Sequence, residues 1–99
     1  MAAYLVAHVL THDPSWLESE YIDVFEQLLA KYDGTRLARG LHEQVEGAPL
    51  GPATVVIRFP DLESAHGFWN DPEYTRVAPI RRAAAEAQVI LLEGLPTSQ

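Results

Sequence analysis

The chain has 99 residues, of which 47% are hydrophobic and none is cysteine, and its formal charge is −7. This length and apolar content predict one small domain with a packed core, and the lack of cysteine excludes disulfides and thiolate chemistry. The negative charge argues against binding to nucleic acid or to an anionic membrane. The first residues lack the positive region of a signal peptide and no stretch reaches the roughly 18 apolar residues of a membrane span, so we expect a cytoplasmic protein.

The first half of the chain predicts a strand, a long helix and a second strand. AYLVAHVLTH is rich in strand-forming residues and has no breaker, which indicates a strand over residues 3–12. Asp13 is a typical helix cap, and the apolar side chains that follow recur every three or four residues, which predicts a helix over 14–32. We expect Gly34 to be the left-handed cap that ends this helix. Residues 35–47 then alternate in polarity as a strand does.

The second half predicts a buried strand, two helical stretches and a last strand. Pro79 has no N–H to bond the turn before it, so we expect a break near Ala78 and a fresh helix start after it. Asp71 is predicted to cap the stretch before that break. The predicted elements are a strand over 53–60, helices over 61–70, 72–78 and 79–87, and a strand over 88–94.

The order β-α-β-β-α-β predicts a ferredoxin-like α+β fold, with a four-stranded antiparallel sheet and both helices on one face. We expect one domain over residues 3–94 and a flexible tail over 95–99. The second face of such a sheet would be partly apolar. We therefore expect a homodimer in which another copy covers that face.

Three segments carry a resemblance to a known family, namely FPDLESA, WNDPEY and the later PIR. In this order and spacing, within a match from Ala3 to Gly94, they resemble the domain of unknown function 1330 family of the dimeric α+β barrel superfamily. The resemblance implies a homodimer with a small pocket between sheet and helices in each protomer. The superfamily includes cofactor-free monooxygenases, isomerases, dehydratases and haem-degrading enzymes. Asp71 departs from the small hydroxyl residue expected there, and we expect its charge near the pocket mouth.

The candidate catalytic residues are His8, Tyr74 and Arg39. His8 shares a strand face with Tyr4, and there it is either a general base, because imidazole titrates near neutrality, or a hydrogen-bonded histidine in the dimer interface. Tyr74 offers a hydroxyl close to the expected helix start. Arg39 lies on a strand, where it is either one half of a salt bridge or a clamp for an anion.

The candidate ligand-binding residues are Tyr21, Trp69, Arg81 and Arg58. The two aromatic side chains combine an apolar body with a polar group, as residues of small-molecule pockets often do. Arg81 would follow the helix start expected at Pro79 and could hold an anionic oxygen there. Its neighbours Arg76 and Arg82 are expected to face water and to pair with Glu73 and Glu86.

Metal and cofactor sites are not expected. His8 and His12 are four residues apart, and on a strand this spacing separates the side chains by about 13 Å, too far for one metal ion. The sequence therefore favours a cofactor-independent enzyme, of monooxygenase, isomerase or lyase type, acting on a small hydrophobic or aromatic carbonyl compound. The alternative is a non-catalytic dimer that binds a small molecule or serves in a stress response.

Overall fold

The computed structural model describes residues 1–96, and its centre is a four-stranded antiparallel sheet in the order β2-β3-β1-β4. Helices cover one face of the sheet, so the predicted ferredoxin-like fold is confirmed. None of the helices in residues 1–96 is long and apolar enough to cross a membrane. Of the predicted tail, residues 97–99 lie outside the described residues. The elements are β1 Ala3–Thr11, a 3₁₀-helix Pro14–Glu18, α1 Glu20–Lys31, β2 Thr35–Leu41, β3 Ala53–Phe59, α2 Leu62–Asn70, α3 Pro72–Ala84 and β4 Ala85–Glu93.

The alternation along β1 separates the two faces of the sheet. Ala3, Leu5 and Ala7 are buried under the helices, whereas the side chains between them point to the other face and are partly exposed. We call that second face the open face. It carries Tyr4, Val6, His8, Leu10, Thr54, Val56, Arg58, Gln88, Ile90 and Leu92. Ile90 and Leu92 are each 56% exposed, so this face is partly apolar and uncovered in the single chain.

The predicted helix over 14–32 is divided in two. Ser19 has an extended backbone, with φ −97° and ψ 174°, and its side chain accepts a hydrogen bond from the Tyr21 N–H. Ser19 therefore caps α1, and the residues before it form the separate 3₁₀-helix. The division turns Trp16 into the protein, where it is buried.

The turn after α1 also differs from the prediction. The left-handed residue is Asp33, with φ 56°, and Gly34 is not in that conformation. Gly34 is needed for space instead, because a Cβ there would lie 2.8 Å from Leu29 Cδ2 and 2.9 Å from Phe59 Cε1. Glycine thus allows α1 to pack closely on β3.

The predicted helix break at Pro79 does not occur, since α3 runs without interruption from Pro72 to Ala84. Proline removes one backbone hydrogen bond, but Pro79 lies on the exposed side of the helix while Val77 and Ala78 are buried. The expected helical run over 79–87 also ends early. Residues 85–87 join β4 because they pair with Val9, Leu10 and Thr11 of β1.

The second strand is shorter than predicted and contains a bulge. It ends at Leu41 because its partner β3 begins at Ala53, opposite Leu41. The chain beyond it forms a loop, organised by the Gln44 amide, which donates hydrogen bonds to three backbone carbonyls. The pairing shifts by one residue between Arg36 and Ala38. A bulge of this kind reverses the alternation of side chains beyond it.

Candidate functional site

A cavity of about 240 Å³ lies between the sheet and the helices, and we call it the inner cavity. Its floor is made by residues of all four strands, and its roof by the 3₁₀-helix, α1, α2 and α3. Most of the lining is apolar or aromatic. The lining includes Ala7, Trp16, Tyr21, Phe25, Arg36, Arg39, Val55, Trp69, Tyr74, Arg81 and Val89.

The charge of the lining is opposite to the charge of the chain. The sequence has 14 acidic residues against seven Lys and Arg. Three of the seven, Arg36, Arg39 and Arg81, line the inner cavity, and no Asp or Glu among the described residues does so. The cavity is therefore a positively charged space in an acidic protein, and such a space attracts anions at short range.

Two phenols meet in the roof of the cavity. The hydroxyl oxygens of Tyr21 on α1 and Tyr74 on α3 are 3.0 Å apart and share a hydrogen bond. Both side chains are almost fully buried, at 4% and 2% exposed. An indole lies beside each of them: Trp16 meets Tyr21 edge to face with ring centroids 5.4 Å apart, and Trp69 lies tilted against Tyr74 with ring centroids 4.9 Å apart.

Burial raises the pKa of the Tyr21 phenol well above its ordinary value, and the neighbouring Tyr74 hydroxyl raises it further. The Arg81 guanidinium is close enough to Tyr21 to oppose this rise in pKa. The increase prevails, so Tyr21 keeps its proton at neutral pH. The Tyr21 hydroxyl can therefore donate a hydrogen bond, either to Tyr74 or into the cavity.

Arg81 is the charged residue at the centre of this group. It lies in the last turn of α3, where a helix end favours a cation, and only 7% of it is exposed. None of the salt bridges within residues 1–96 involves Arg81. A buried guanidinium that faces a cavity without a carboxylate partner has the charge and the N–H groups needed to hold an anionic group.

Five of the seven predicted site residues line the inner cavity, namely Tyr21, Arg39, Trp69, Tyr74 and Arg81. The structure does not bring His8 and Arg58 to it. Both side chains point to the open face, since His8 is opposite Thr54 and Arg58 is opposite Tyr4 in the register of β1 and β3. Arg81 reaches the cavity from the end of a helix and not from the helix start that was predicted.

His8 belongs to a small polar cluster on the open face. Its Nδ1 is 3.0 Å from Thr54 Oγ1, and Nδ1 of His42 is 2.6 Å from the same oxygen. The two imidazole rings are nearly perpendicular, with centroids 5.7 Å apart. No group of three or more His, Asp or Glu side chains suited to a metal ion occurs in the part of the chain that the structure describes.

Asp71 is a structural residue and does not line the inner cavity, contrary to the prediction. It is buried and caps α3, accepting hydrogen bonds from Lys31 Nζ at 2.9 Å, Tyr32 Oη at 2.7 Å and the Glu73 N–H at 2.8 Å. Hydrogen bonds from Lys31 and Tyr32 lower the pKa of its carboxyl to about 2. The negative charge is thus held by Lys31 and Tyr32 at the end of α1 and lies outside the inner cavity.

Of the two predicted surface pairs, one is present. Arg76 contacts Glu73 as expected, with a second contact to Glu20. Glu86 instead contacts His12 Nε2 at 2.6 Å, because the early start of β4 carries Glu86 to the side of β1.

Comparisons with known proteins fit this geometry. A family model described as "Domain of unknown function (DUF1330)" matches residues 2–95. The chain belongs to the DUF1330 family. No curated protein matches the sequence significantly.

Solved structures share the fold of this DUF1330 chain at low sequence identity. The RPA0582 protein of unknown function from Rhodopseudomonas palustris is 15% identical, with a TM-score of 0.74 over 96% of this chain and 83% of that one. A dimeric ferredoxin-like protein of unknown function from Jannaschia sp. CCS1 is 14% identical, with a TM-score of 0.69 over 95% and 100%. SnoaB, a cofactor-independent oxygenase from Streptomyces nogalater, is 16% identical, with a TM-score of 0.62 over 97% and 95%.

Trp16, Phe25 and Arg36 also line the inner cavity, and none of them was predicted from the sequence as a site residue. Simple alternation places Arg36 and Arg39 on opposite faces of β2. The bulge puts both on the helix side, with Arg36 opposite Ile57 and Arg39 opposite Val55. The sequence does show two arginines three residues apart in one strand. This spacing indicates a shared face only when a bulge lies between them.

Proposed function

We propose that this protein is a cofactor-independent enzyme, of monooxygenase, isomerase or lyase type, that acts on a small hydrophobic or aromatic carbonyl compound in the inner cavity. The observation that carries the proposal is the buried Arg81, which has no salt bridge within residues 1–96 and lies beside the hydrogen-bonded phenols. A cation in a largely apolar site needs a counter-charge. The enolate or phenolate form of a carbonyl compound supplies one.

The size of the cavity suits such a substrate. A dry cavity of about 150 Å³ in another protein holds one benzene molecule, and the inner cavity is about 240 Å³. It therefore accepts more than one ring, or one ring with substituents. Trp16, Phe25 and Trp69 offer aromatic walls against which a flat molecule can stack.

The chemistry that these residues support is enolate formation. When a proton leaves the carbon next to a carbonyl group, the electron pair of the C–H bond moves into the new C=C bond and negative charge develops on oxygen. The Arg81 guanidinium and the protonated Tyr21 phenol are the donors that stabilise this oxygen. Tyr74, hydrogen-bonded to Tyr21, is our candidate for relaying the proton: its oxygen accepts the α-proton while its own hydroxyl proton passes to a solvent molecule.

Two further points support the proposal without deciding the reaction. SnoaB is described as a cofactor-independent oxygenase, so the fold is compatible with chemistry that needs no bound cofactor. The open face is apolar, and similar proteins are described as dimeric, so we propose a homodimer in which this face is covered. In that arrangement His8 would lie between protomers as a hydrogen-bonded residue. We also propose a cytoplasmic location.

The second candidate is a binding or stress-response protein without turnover. It is supported by the lining itself, because the Arg81 guanidinium and the two hydrogen-bonded phenols can bind an anionic oxygen without any proton transfer. Proton exchange separates the two functions. A binder leaves the α-hydrogens of a bound ketone in place, whereas an enolising enzyme replaces them with solvent hydrogens.

The experiment uses 2-tetralone, an aromatic ketone with an acidic C–H bond, in D₂O, and follows the loss of its α-proton signals by NMR. We expect the protein to accelerate exchange, Tyr74→Phe and Arg81→Met to abolish the acceleration, and the exposed Arg82→Gln to retain it. Dissolved oxygen and products are measured in parallel to identify an oxygenase. Saturable binding without exchange would reject the enzyme in favour of the binder. Native mass spectrometry of the same sample reports the dimer and any retained ligand.

A further inference from the structure

The cations of the inner cavity lie at its two ends. One row of paired residues crosses the sheet under the cavity: Arg39 on β2 is opposite Val55, Val55 is opposite Ala7, and Ala7 is opposite Val89 on β4. Neighbouring strands are about 4.8 Å apart, so the row spans about 14 Å from Arg39 to Val89. Arg81 is at the far end, because it borders an outer groove together with Val89 and Ala87.

The near end carries a net positive charge. Arg36 donates to Glu26 Oε1 at 2.5 Å and lies over the Phe25 ring, so its charge is matched and its position fixed. Arg39 forms no salt bridge within residues 1–96, although it is close enough to help Arg36 lower the pKa of Glu26. Two guanidinium groups thus share one carboxylate, and one positive charge remains at this end of the cavity.

The middle of the cavity has no comparable polar group. Its floor between the two ends consists of small and branched apolar side chains, among them Ala7, Val55 and Val89. Arg39 is exposed on the edge strand β2, so a ligand that used only the Arg81 end would leave the Arg39 guanidinium to solvent. A ligand with acidic groups at both ends and an apolar body would complement the whole cavity.

We infer that the substrate is an aromatic or polycyclic carboxylic acid. Its carboxylate binds Arg39 at the β2 end, and its carbonyl, enol or phenol oxygen binds Arg81 and the phenols at the β4 end. This inference rests on the proposed function for the Arg81 end and adds the Arg39 end. It also fixes the orientation of the substrate, because the reacting oxygen must lie beside Tyr21 and Tyr74.

The test compares three two-ring probes that differ only at their ends. 6-Hydroxy-2-naphthoate has a carboxylate and a hydroxyl at opposite ends, 2-naphthol lacks the carboxylate, and 2-naphthoate lacks the hydroxyl. Kd is measured by quenching of tryptophan fluorescence, with calorimetry as a check. We expect 6-hydroxy-2-naphthoate to bind about fivefold more tightly than 2-naphthol, the effect of one partly exposed ion pair.

The variants then assign each end. Arg39→Gln should remove the fivefold preference for the probe with a carboxylate. Arg81→Gln should raise the Kd of 2-naphthol by about thirtyfold, as expected for a lost hydrogen bond to a buried charge. Arg82→Gln, the matched loss of a surface charge, should alter neither. The inference would be overturned if 6-hydroxy-2-naphthoate and 2-naphthol bound with equal affinity, or if the preference persisted in Arg39→Gln. Neither result would contradict the role proposed for Arg81. If the Arg81 variants change neither the Kd of 2-naphthol nor the rate of proton exchange in 2-tetralone, the proposed function is wrong as well.

Discussion

Replacing Arg81 with methionine separates the requirements of folding from those of ligand binding. Methionine keeps the long unbranched stem and fills irregular space, but it carries no charge. Val77, Ala78 and Ala84 on the same helix are buried, so the new side chain meets an apolar environment. Without a ligand, the variant should be more stable than the natural protein, because Arg81 is 7% exposed and makes no salt bridge within residues 1–96.

The size of the gain follows from three contributions. Replacing buried ionic groups with hydrophobic residues of similar volume often stabilises a protein by about 1–4 kcal/mol, and we take about 3 kcal/mol for Arg81. The variant loses a contact with Tyr21, which we take as about 1 kcal/mol, and a favourable charge at the end of α3, about 0.5 kcal/mol. We expect a net gain of about 1–2 kcal/mol. For a domain of this size that corresponds to a rise in Tm of about 5–10 °C.

Urea and thermal unfolding, followed by tryptophan fluorescence at one fixed chain concentration, measure this change in stability. The control is Arg82→Met, the same substitution one residue further on at an exposed position, which should change the free energy of unfolding by less than about 0.5 kcal/mol. If Arg81→Met destabilised the protein by about 2 kcal/mol or more, the guanidinium would have a structural role. In that case Arg81 would not require a negatively charged ligand, and the role proposed for it would be refuted.

Three other substitutions test the framework of the site. Asp71→Asn removes a carboxyl with a pKa of about 2. The stability that this carboxylate contributes is complete above the ordinary pKa of 3.8 and is lost as the pH falls towards 2, so the free energy of unfolding should fall less with acid in the variant than in the natural protein. Equal slopes of the two acid-unfolding curves would contradict this expectation. Gly67→Ala should cost about 1–3 kcal/mol in urea unfolding, because its Cβ would lie 2.6 Å from Tyr32 Cε1, and an unchanged midpoint would mean that the ring moves freely. Thr54→Val should destabilise the fold by about 1 kcal/mol by removing the hydroxyl between the two histidines, and unchanged imidazole NMR signals would show that the cluster does not persist in solution.

The parts of the fold that could be predicted from sequence are those set by local patterns. The run of strand-forming residues in β1 and the caps at Asp13, Asp61 and Asp71 each determine structure within a few residues. Pro79 misled the prediction because the cost of one missing hydrogen bond is local, whereas the burial of Val77 and its neighbours, which holds the helix together, is a tertiary effect.

The candidate site was predictable by residue type but not by position. Aromatic residues with polar groups and arginines were sensible candidates, and Tyr21, Tyr74 and Arg81 come together in the inner cavity. His8 was an equally good candidate by chemistry, yet strand register sends its ring to the open face. The bulge in β2 places Arg36 on the cavity side. A bulge of one residue reverses the faces of a strand, and it could not be predicted from this single sequence.

The opposite charges of the exterior and the inner cavity affect how fast an anionic ligand arrives. At a distance the ligand meets the field of a chain with charge −7, and only near the entrance does it meet the arginines. Dissolved salt weakens electrostatic forces beyond about 8–10 Å much more than those inside an enclosed site. Moderate ionic strength should therefore accelerate the approach of anionic substrates while changing the bound state little, which is the reverse of ordinary electrostatic steering.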